Sequence, residues 1–531
     1  MRRAVRLKSI PAAGITGPAL WGAAQVRVAI WERRARSPRE IQLRHLLEHC
    51  RAAAKTEFGR QHRLDDVRSY EDFRARVPVR TYADFEPQLD RMRRGERDVL
   101  WPGLVKYWGN SSGSSSTAAV HKFLPISDTQ IAWQQKAGFD VLCRYVTLSG
   151  DRSFTGGYTL NLLPPAVLKP EGPVFVTSNP GLMQLHMPRA GRLNVIPRPP
   201  VRDIEEYDKK LQAIAENYLE YDVRALSGTT CWFSILFDRV LAAARARGRD
   251  VRNIGEIWPN LRALLGGGVH AAPYLPIIRE RIGHPVVLVD NYNATEGGIF
   301  AVTDRLDDEG MMVVPDRGVF YEFIPREDVG KPEPRRVPLW ETEPGAEYAL
   351  VVSTSSGLFG YSIGDFVRFR SVFPHRLEFT GRLSGVLSIT QELTSQAEIE
   401  RAVAAAAAHN PCRIVDFSAA AELGVDGTAK GRYALFVEFE QEPPSVERFA
   451  SSFDEALCAE NRVYREHRAG NVAILAPRVL PLVRGATRRF MTSLGQTSIQ
   501  HKFPRIADDR KKDVLRELVR QGGTEAFTGA P

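Results

Sequence analysis

The sequence predicts an α/β protein: a large amino-terminal domain with β-sheets and helices, followed by a smaller α+β domain. Three observations predict it. The chain has 531 residues, more than one ordinary hydrophobic core organises. Short apolar runs alternate with helical periodicity through its middle. Past Arg382 the pattern changes to an alanine-rich helix, a β-like run and another long helix.

Taken in order, residues 37–57 carry Ile41, Leu43, Leu46 and Leu47 at helical spacing beside Arg44, His45 and Glu48, which predicts a core-facing helix. Residues 70–76 and 82–94 read as short helices separated by the Val77-Pro78-Val79 break. A Gly/Ser-rich loop follows. Between 155 and 199, apolar runs punctuated by Gly and Pro predict strands such as 158–163 and 174–177. Residues 204–220 and 232–247 have helical periodicity, and 261–265 and 286–289 read as short buried strands ending in loops. A strand at 348–354 leads into a turn-like stretch at 357–365, and 366–369 and 376–379 complete a sheet rim or small barrel. Helices at 398–408 and 446–468 flank a strand at 433–440. The expected boundary falls near Gly385, giving domains 1–384 and 385–531.

A net charge of +9 favours anionic partners such as nucleotides or carboxylates. The basic residues are scattered, as in Glu32-Arg33-Arg34-Ala35-Arg36, with no nucleic-acid-binding signature, so nucleic acid is not an expected partner. The five cysteines are far apart and odd in number, which fits reduced packing residues rather than disulfides or a metal site. The stretch 10–30 is partly apolar behind a basic start, but Pro11, Pro18 and Arg27 interrupt it. The expectation is a cytoplasmic protein without integral membrane association, with a membrane-surface amino-terminal helix as the alternative.

Four motifs carry chemistry. Asn110-Ser111-Ser112-Gly113-Ser114-Ser115-Ser116-Thr117 can present backbone N–H groups and hydroxyls to phosphate oxygens, though it lacks a Walker-type lysine and equally suits a flexible linker. Asp290-Asn291-Tyr292-Asn293-Ala294-Thr295-Glu296-Gly297-Gly298 follows a buried strand, where open α/β sheets bind ligands, and offers an aromatic face, a hydroxyl and a carboxylate. Those suit adenine, phosphate and Mg²⁺; an Asn/Gly turn with Tyr292 as packing is the plainer alternative. Tyr361-Ser362-Ile363-Gly364-Asp365, with Gly381-Arg382 beyond, supplies an acid for ribose hydroxyls and a cation for the nucleotide, or merely a turn and a surface arginine. Gln500-His501-Lys502-Phe503-Pro504-Arg505 sets two cations around a proline; it is either a solvated basic tail or the carrier of a lysine that meets developing negative charge.

The order of these motifs resembles the auxin-responsive acyl acid amido synthetases, the plant hormone-conjugating enzymes and their bacterial relatives within the acyl-adenylate-forming superfamily. Thr56-Glu57-Phe58-Gly59-Arg60, Phe73 to Arg80, Lys122-Phe123-Leu124-Pro125, Trp258-Pro259-Asn260-Leu261, Leu387-Ser388-Ile389 and Asn461-Arg462-Val463-Tyr464 extend the resemblance over most of the chain. It implies a large adenylate-forming domain with a β-barrel-like part and a mobile carboxy-terminal lid, hinged after Arg382 near Gly385.

The resemblance also implies the roles. ATP and Mg²⁺ are the expected cofactors, a carboxylic acid the substrate and an amino acid the acceptor. Ser111, Ser112, Gly113 and Ser114 would cradle phosphate, Tyr292 would stack on adenine, and Thr295 would contact the α-phosphate. Glu296 would hold Mg²⁺, Asp365 and Arg382 the ribose, and Lys502 would stabilise the adenylation transition state. Three departures stand out: the phosphate loop lacks the family's second glycine, Ser362 stands where Arg is common, and Thr295 replaces the usual Ser. Alternatives are an adenylate former with a thiol acceptor, coenzyme A or a carrier protein, and a nucleotide- or acyl-binding protein without turnover.

Overall fold

The computed structural model describes residues 7–11, 13–112, 121–267, 271, 275–306, 310–382, 385–387, 389, 392, 394–422, 425, 430–461, 464–465, 468–471, 474–495 and 502–520. The chain divides into two compact units, the first running to Phe379 and the second beginning at Thr380.

Helices open the first unit: Ala13–Ala35, Pro38–Ala53, Glu57–Gln61, Tyr70–Arg76 and Tyr82–Arg93. The helix expected over 37–57 runs from Pro38 to Ala53, and another begins at Glu57, where the Thr56 hydroxyl accepts the Gly59 N–H at 2.9 Å. Ser69 with Asp72 and Thr81 with Asp84 form capping boxes at the next two starts.

The centre of this unit is a five-stranded parallel sheet in the order Val195–Ile196, Tyr158–Leu162, Val223–Gly228, Ala263–Leu265, Val287–Val289. Parallel sheets need cover on both faces, and this one has it. Leu211, Ile214, Phe233, Phe237 and Ile278, from helices Tyr207–Asn217, Cys231–Ala246 and Leu275–Ile282, share one core with Leu160, Leu226 and Leu264. Ala24, Val28 and Trp31 of the first helix, with Val141 and Tyr145 of helix Asp128–Ser149, share another with Ala225, Ala263 and Val289.

Two further sheets complete the unit. Strand Tyr107–Ser112 pairs antiparallel with His121–Ile126 and parallel with Val174–Thr177, in a four-stranded sheet that Lys169–Glu171 closes. The strands read as a rim or small barrel belong to an eight-stranded sheet whose edges are Asn291–Ala294 and Val337–Pro338. Within it, Gly364-Asp365 is not a turn: Tyr361–Ser371 is one strand, with Gly364 at φ +83° and a register shift against Glu347–Thr354. Glycine admits that left-handed backbone without ending the strand.

In the second unit, strands Arg413–Glu422, Arg432–Gln441 and Arg478–Pro481 form one sheet. Helices Gln396–His409 and Val446–Glu460 bury Ile399, Val403, Phe449 and Phe453 against Phe417, Leu435 and Val437. Phe490, Phe503 and Leu515 share a core with Ala420, Ala434 and Phe436. The helix expected over 446–468 stops at Glu460, because the Asn461 side-chain amide donates to the Glu392 carbonyl at 3.1 Å while its oxygen accepts the Tyr464 N–H at 2.9 Å.

Among the described residues Cys50, Cys143, Cys412 and Cys458 are free, and burial pushes the Cys50 and Cys143 thiols up to about 12 and about 11. No described helix is long and apolar enough to cross a membrane.

Candidate active site

The second motif joins two sheets. The last parallel strand, Val287–Val289, runs at once into the hairpin Asn291–Ala294 and Gly298–Thr303, which forms the edge of the eight-stranded sheet. Thr295, Glu296 and Gly297 make its turn.

Tyr292 is 8% exposed, edge-on to Phe300 at 5.3 Å and tilted against Phe379 at 5.8 Å. Its hydroxyl donates to a carboxylate oxygen of Asp365 at 2.7 Å. The second and third motifs therefore meet through a buried hydrogen bond, and Asp365 faces the hairpin because it lies inside a strand.

The strand that leads into the first motif reaches the same place at Gly109, the residue before that motif. A Cβ built on Gly109 would lie 2.5 Å from Thr295 Cγ2 and 3.1 Å from Ile126 Cδ1, so strand Tyr107–Ser112 approaches the hairpin turn as closely as a glycine backbone allows. Ser111 and Ser112 end that strand; Gly113 and Ser114 lie outside the described residues.

A support unannounced by the motifs holds the turn. Ser127 caps helix Asp128–Ser149 by accepting the Gln130 N–H at 3.1 Å, and donates its own hydroxyl to the Ser355 carbonyl at 2.5 Å. Gln130 then donates from its amide to the Thr295 carbonyl at 3.2 Å and accepts from the Ser356 hydroxyl. Gly109 had a legible signal, a glycine inside an aromatic strand pattern. Gln130 and Ser356 had none, since the residues they join are far apart in sequence.

Glu296 is 8% exposed beside Thr295. It also lies within electrostatic reach of Tyr361: burial chiefly, and then the Glu296 charge, push that phenol well above its usual value. Arg382 ends strand Arg376–Arg382, and its side chain lies outside the described residues.

In the second unit Lys502 is exposed, three residues before a buried anchor. Arg505 donates to Glu400 at 3.2 Å, to the Phe417 carbonyl at 3.0 Å and to Asp416, with its guanidinium 4.4 Å from the Phe417 ring centre. Burial pushes Glu400 up to about 7 against the opposing pull of Gln396, Lys502 and Arg401, and it raises Asp416 as well.

The fold is that of adenylate-forming ligases. A solved GH3.15 acyl acid amido synthetase matches it with a TM-score of 0.77 at 19% identity, over 93% of this chain and 96% of that one. The chain belongs to the GH3 family: the models of its N-terminal, central and C-terminal domains match residues 27–162, 312–382 and 397–511. A jasmonoyl-L-amino acid synthetase of Nicotiana attenuata is 32% identical over 50% of this chain, a match spanning about half of that relative, 47%. A probable indole-3-acetic acid-amido synthetase of Oryza sativa subsp. japonica is 25% identical over 85% of both chains.

Proposed function

We propose that the chain is an ATP-dependent ligase that activates a carboxylic acid as its acyl-adenylate and passes the acyl group to an amine, an amino acid by analogy with the relatives' names. One arrangement carries the reading: the Tyr292–Asp365 hydrogen bond joins two separate motifs, and the Gly109–Thr295 apposition brings the strand that leads into a third to the same hairpin turn in the first unit.

A carboxylate is a poor electrophile because its leaving group would be oxide. Attack of its oxygen on the α-phosphorus of ATP forms the acyl–O–P linkage, breaks the bond to the β-phosphate oxygen and releases pyrophosphate. The amine nitrogen then attacks the acyl carbonyl, loses a proton and displaces AMP. Positioning and neutralisation of phosphoryl charge are what the protein supplies. In this reading Tyr292 stacks on adenine, Asp365 and Arg382 hold the ribose, and Ser111, Ser112, Gly113, Ser114 and Thr295 hold phosphate. Lys502 meets the developing negative charge.

The residues fit Mg²⁺ in a particular way. Among the described residues no group of three His, Cys, Asp or Glu could hold a metal. A single mostly buried carboxylate, Glu296, suits an ion that arrives with the triphosphate, since Mg²⁺ commonly takes one or two carboxylates plus substrate phosphates. When bound, Mg²⁺ neutralises phosphate charge. The two catalytic domains are read as 1–384 and 385–531, hinged after Arg382, with the second swinging Lys502 between half-reactions.

The test is acid-dependent exchange of labelled pyrophosphate into ATP over a panel of aryl, indolyl, jasmonate-like and fatty acids, for the wild type and Glu296→Ala. Exchange that requires an acid and is lost in the variant supports the reading. ATP binding without exchange across the panel overturns it. Product mass after adding amino acids or coenzyme A identifies the acceptor.

A further inference from the structure

The amino-terminal helix Ala13–Ala35 is apolar on two opposite sides, and among the described residues only one is covered. At about 100° per residue, Ala24, Val28, Trp31 and Ala35 share one side and pack into the core with Val141 and Tyr145. Ile15, Ala19, Gly22, Val26, Ile30 and Arg33 share the other. There Ile15 is 76% exposed, Val26 63% and Ile30 47%. Phe139, on helix Asp128–Ser149, is 41% exposed, with the Arg27 guanidinium of the same amino-terminal helix 5.1 Å from its ring centre. An apolar helix normally turns such residues inward; contiguous exposed apolar surface marks an interaction site.

Charge identifies the occupant. The outward side carries no acid, and the helix's one acid, Glu32, accepts from Arg144 at 2.7 Å. Arg33 and Arg36 are exposed, with no salt bridge among the described residues, and the chain ahead of the helix is basic. Exposed aliphatic and aromatic side chains bordered by arginines fit the interface of an anionic bilayer.

We propose that this face, from Ile15 to Ile30 with Phe139 beside it, docks on an anionic phospholipid surface, with Arg33 and Arg36 on the headgroups. The helix lies in the interface, in keeping with the absence of a described helix able to span a membrane.

Sedimentation of the full chain with vesicles tests the proposal, comparing equimolar phosphatidylcholine and phosphatidylglycerol with phosphatidylcholine alone. The wild type is expected to bind the mixed vesicles and not the neutral ones. Val26→Glu with Ile30→Glu should abolish binding without moving the melting temperature, both side chains being largely exposed. Arg33→Ala should weaken binding about fivefold, the equivalent of about 1 kcal/mol per basic residue at an anionic surface. Absence of vesicle binding, or binding indifferent to these substitutions, overturns the proposal. So does a wild-type dimer that the paired glutamates dissociate in the absence of lipid binding, which would make the face a contact between two copies of this chain.

Discussion

The Tyr292 hydroxyl donates to Asp365 at 2.7 Å, across 73 residues of sequence. Tyr292→Phe removes one donor from a buried carboxylate, a change of about 1–3 kcal/mol. The melting temperature should fall, and the KM for ATP in pyrophosphate exchange should rise more than the KM for the acid. Equal rises in both would detach this bond from nucleotide binding.

Gly109 and Thr295 form a steric pair. Gly109→Ala places a methyl where Thr295 Cγ2 lies 2.5 Å away, and adenylation should fall by roughly tenfold or more, a displacement of about 1 Å being enough for such losses. Thr295→Ser deletes the obstructing methyl. The double variant should regain exchange that Gly109→Ala alone has lost; without that recovery the contact is not what limits the site.

Gln130 links helix Asp128–Ser149 to the hairpin turn through the Thr295 carbonyl. Gln130→Leu removes that donor and leaves the Ser356 hydroxyl without its acceptor. Stability should drop by about 1–3 kcal/mol in denaturant titrations, and kcat of exchange should fall further than Ser356→Ala lowers it.

Arg505 serves two buried carboxylates, Glu400 and Asp416. Arg505→Met takes the guanidinium from both, leaving Glu400 the Gln396 amide and Asp416 the Phe417 N–H, and should destabilise by about 1–3 kcal/mol, read as a lower urea midpoint or loss of soluble expression. Arg505→Lys should not restore it, since a single ammonium cannot reproduce the planar fork.

Glu400, with Gln396, Arg401, Lys502, Asp416 and Arg505 around it, titrates at about 7 when folded, above its unfolded value near 4.3. The folded chain then keeps a proton that the unfolded chain releases. Stability should accordingly decline as pH rises from roughly 4 through 7 and level off above it. Glu400→Gln should flatten this slope in melting curves recorded across that range; an unchanged slope would assign it to another group.

Local chemistry made much of the fold legible. Helix Tyr70–Arg76 and strand Val174–Thr177 have the bounds their residues predict, because a capping box and a Gly/Pro-bounded apolar run are complete within a few residues. Reading failed where a distant partner decided. Asn461 ends a helix whose periodicity continues, since Glu392 claims its amide. Gly364-Asp365 resembles a turn, yet its neighbours on both sides hold it in a sheet. Among the candidate residues, Tyr292, Thr295, Glu296 and Asp365 were visible as types at suggestive spacings. Of their supports, Gly109 is marked by its place in an aromatic strand pattern, whereas Gln130 owes its meaning to packing that no single stretch of sequence encodes.

Helix Asp128–Ser149 is 22 residues long, a rod of about 33 Å. Its first turn carries Gln130, which holds the hairpin, and farther along Asp140 and Arg144 grip Arg27 and Glu32 of the amino-terminal helix. The outward apolar face and the hairpin turn thus belong to one girder rather than being joined by a tether. Whatever the chain rests upon, Thr295 keeps a constant bearing to it.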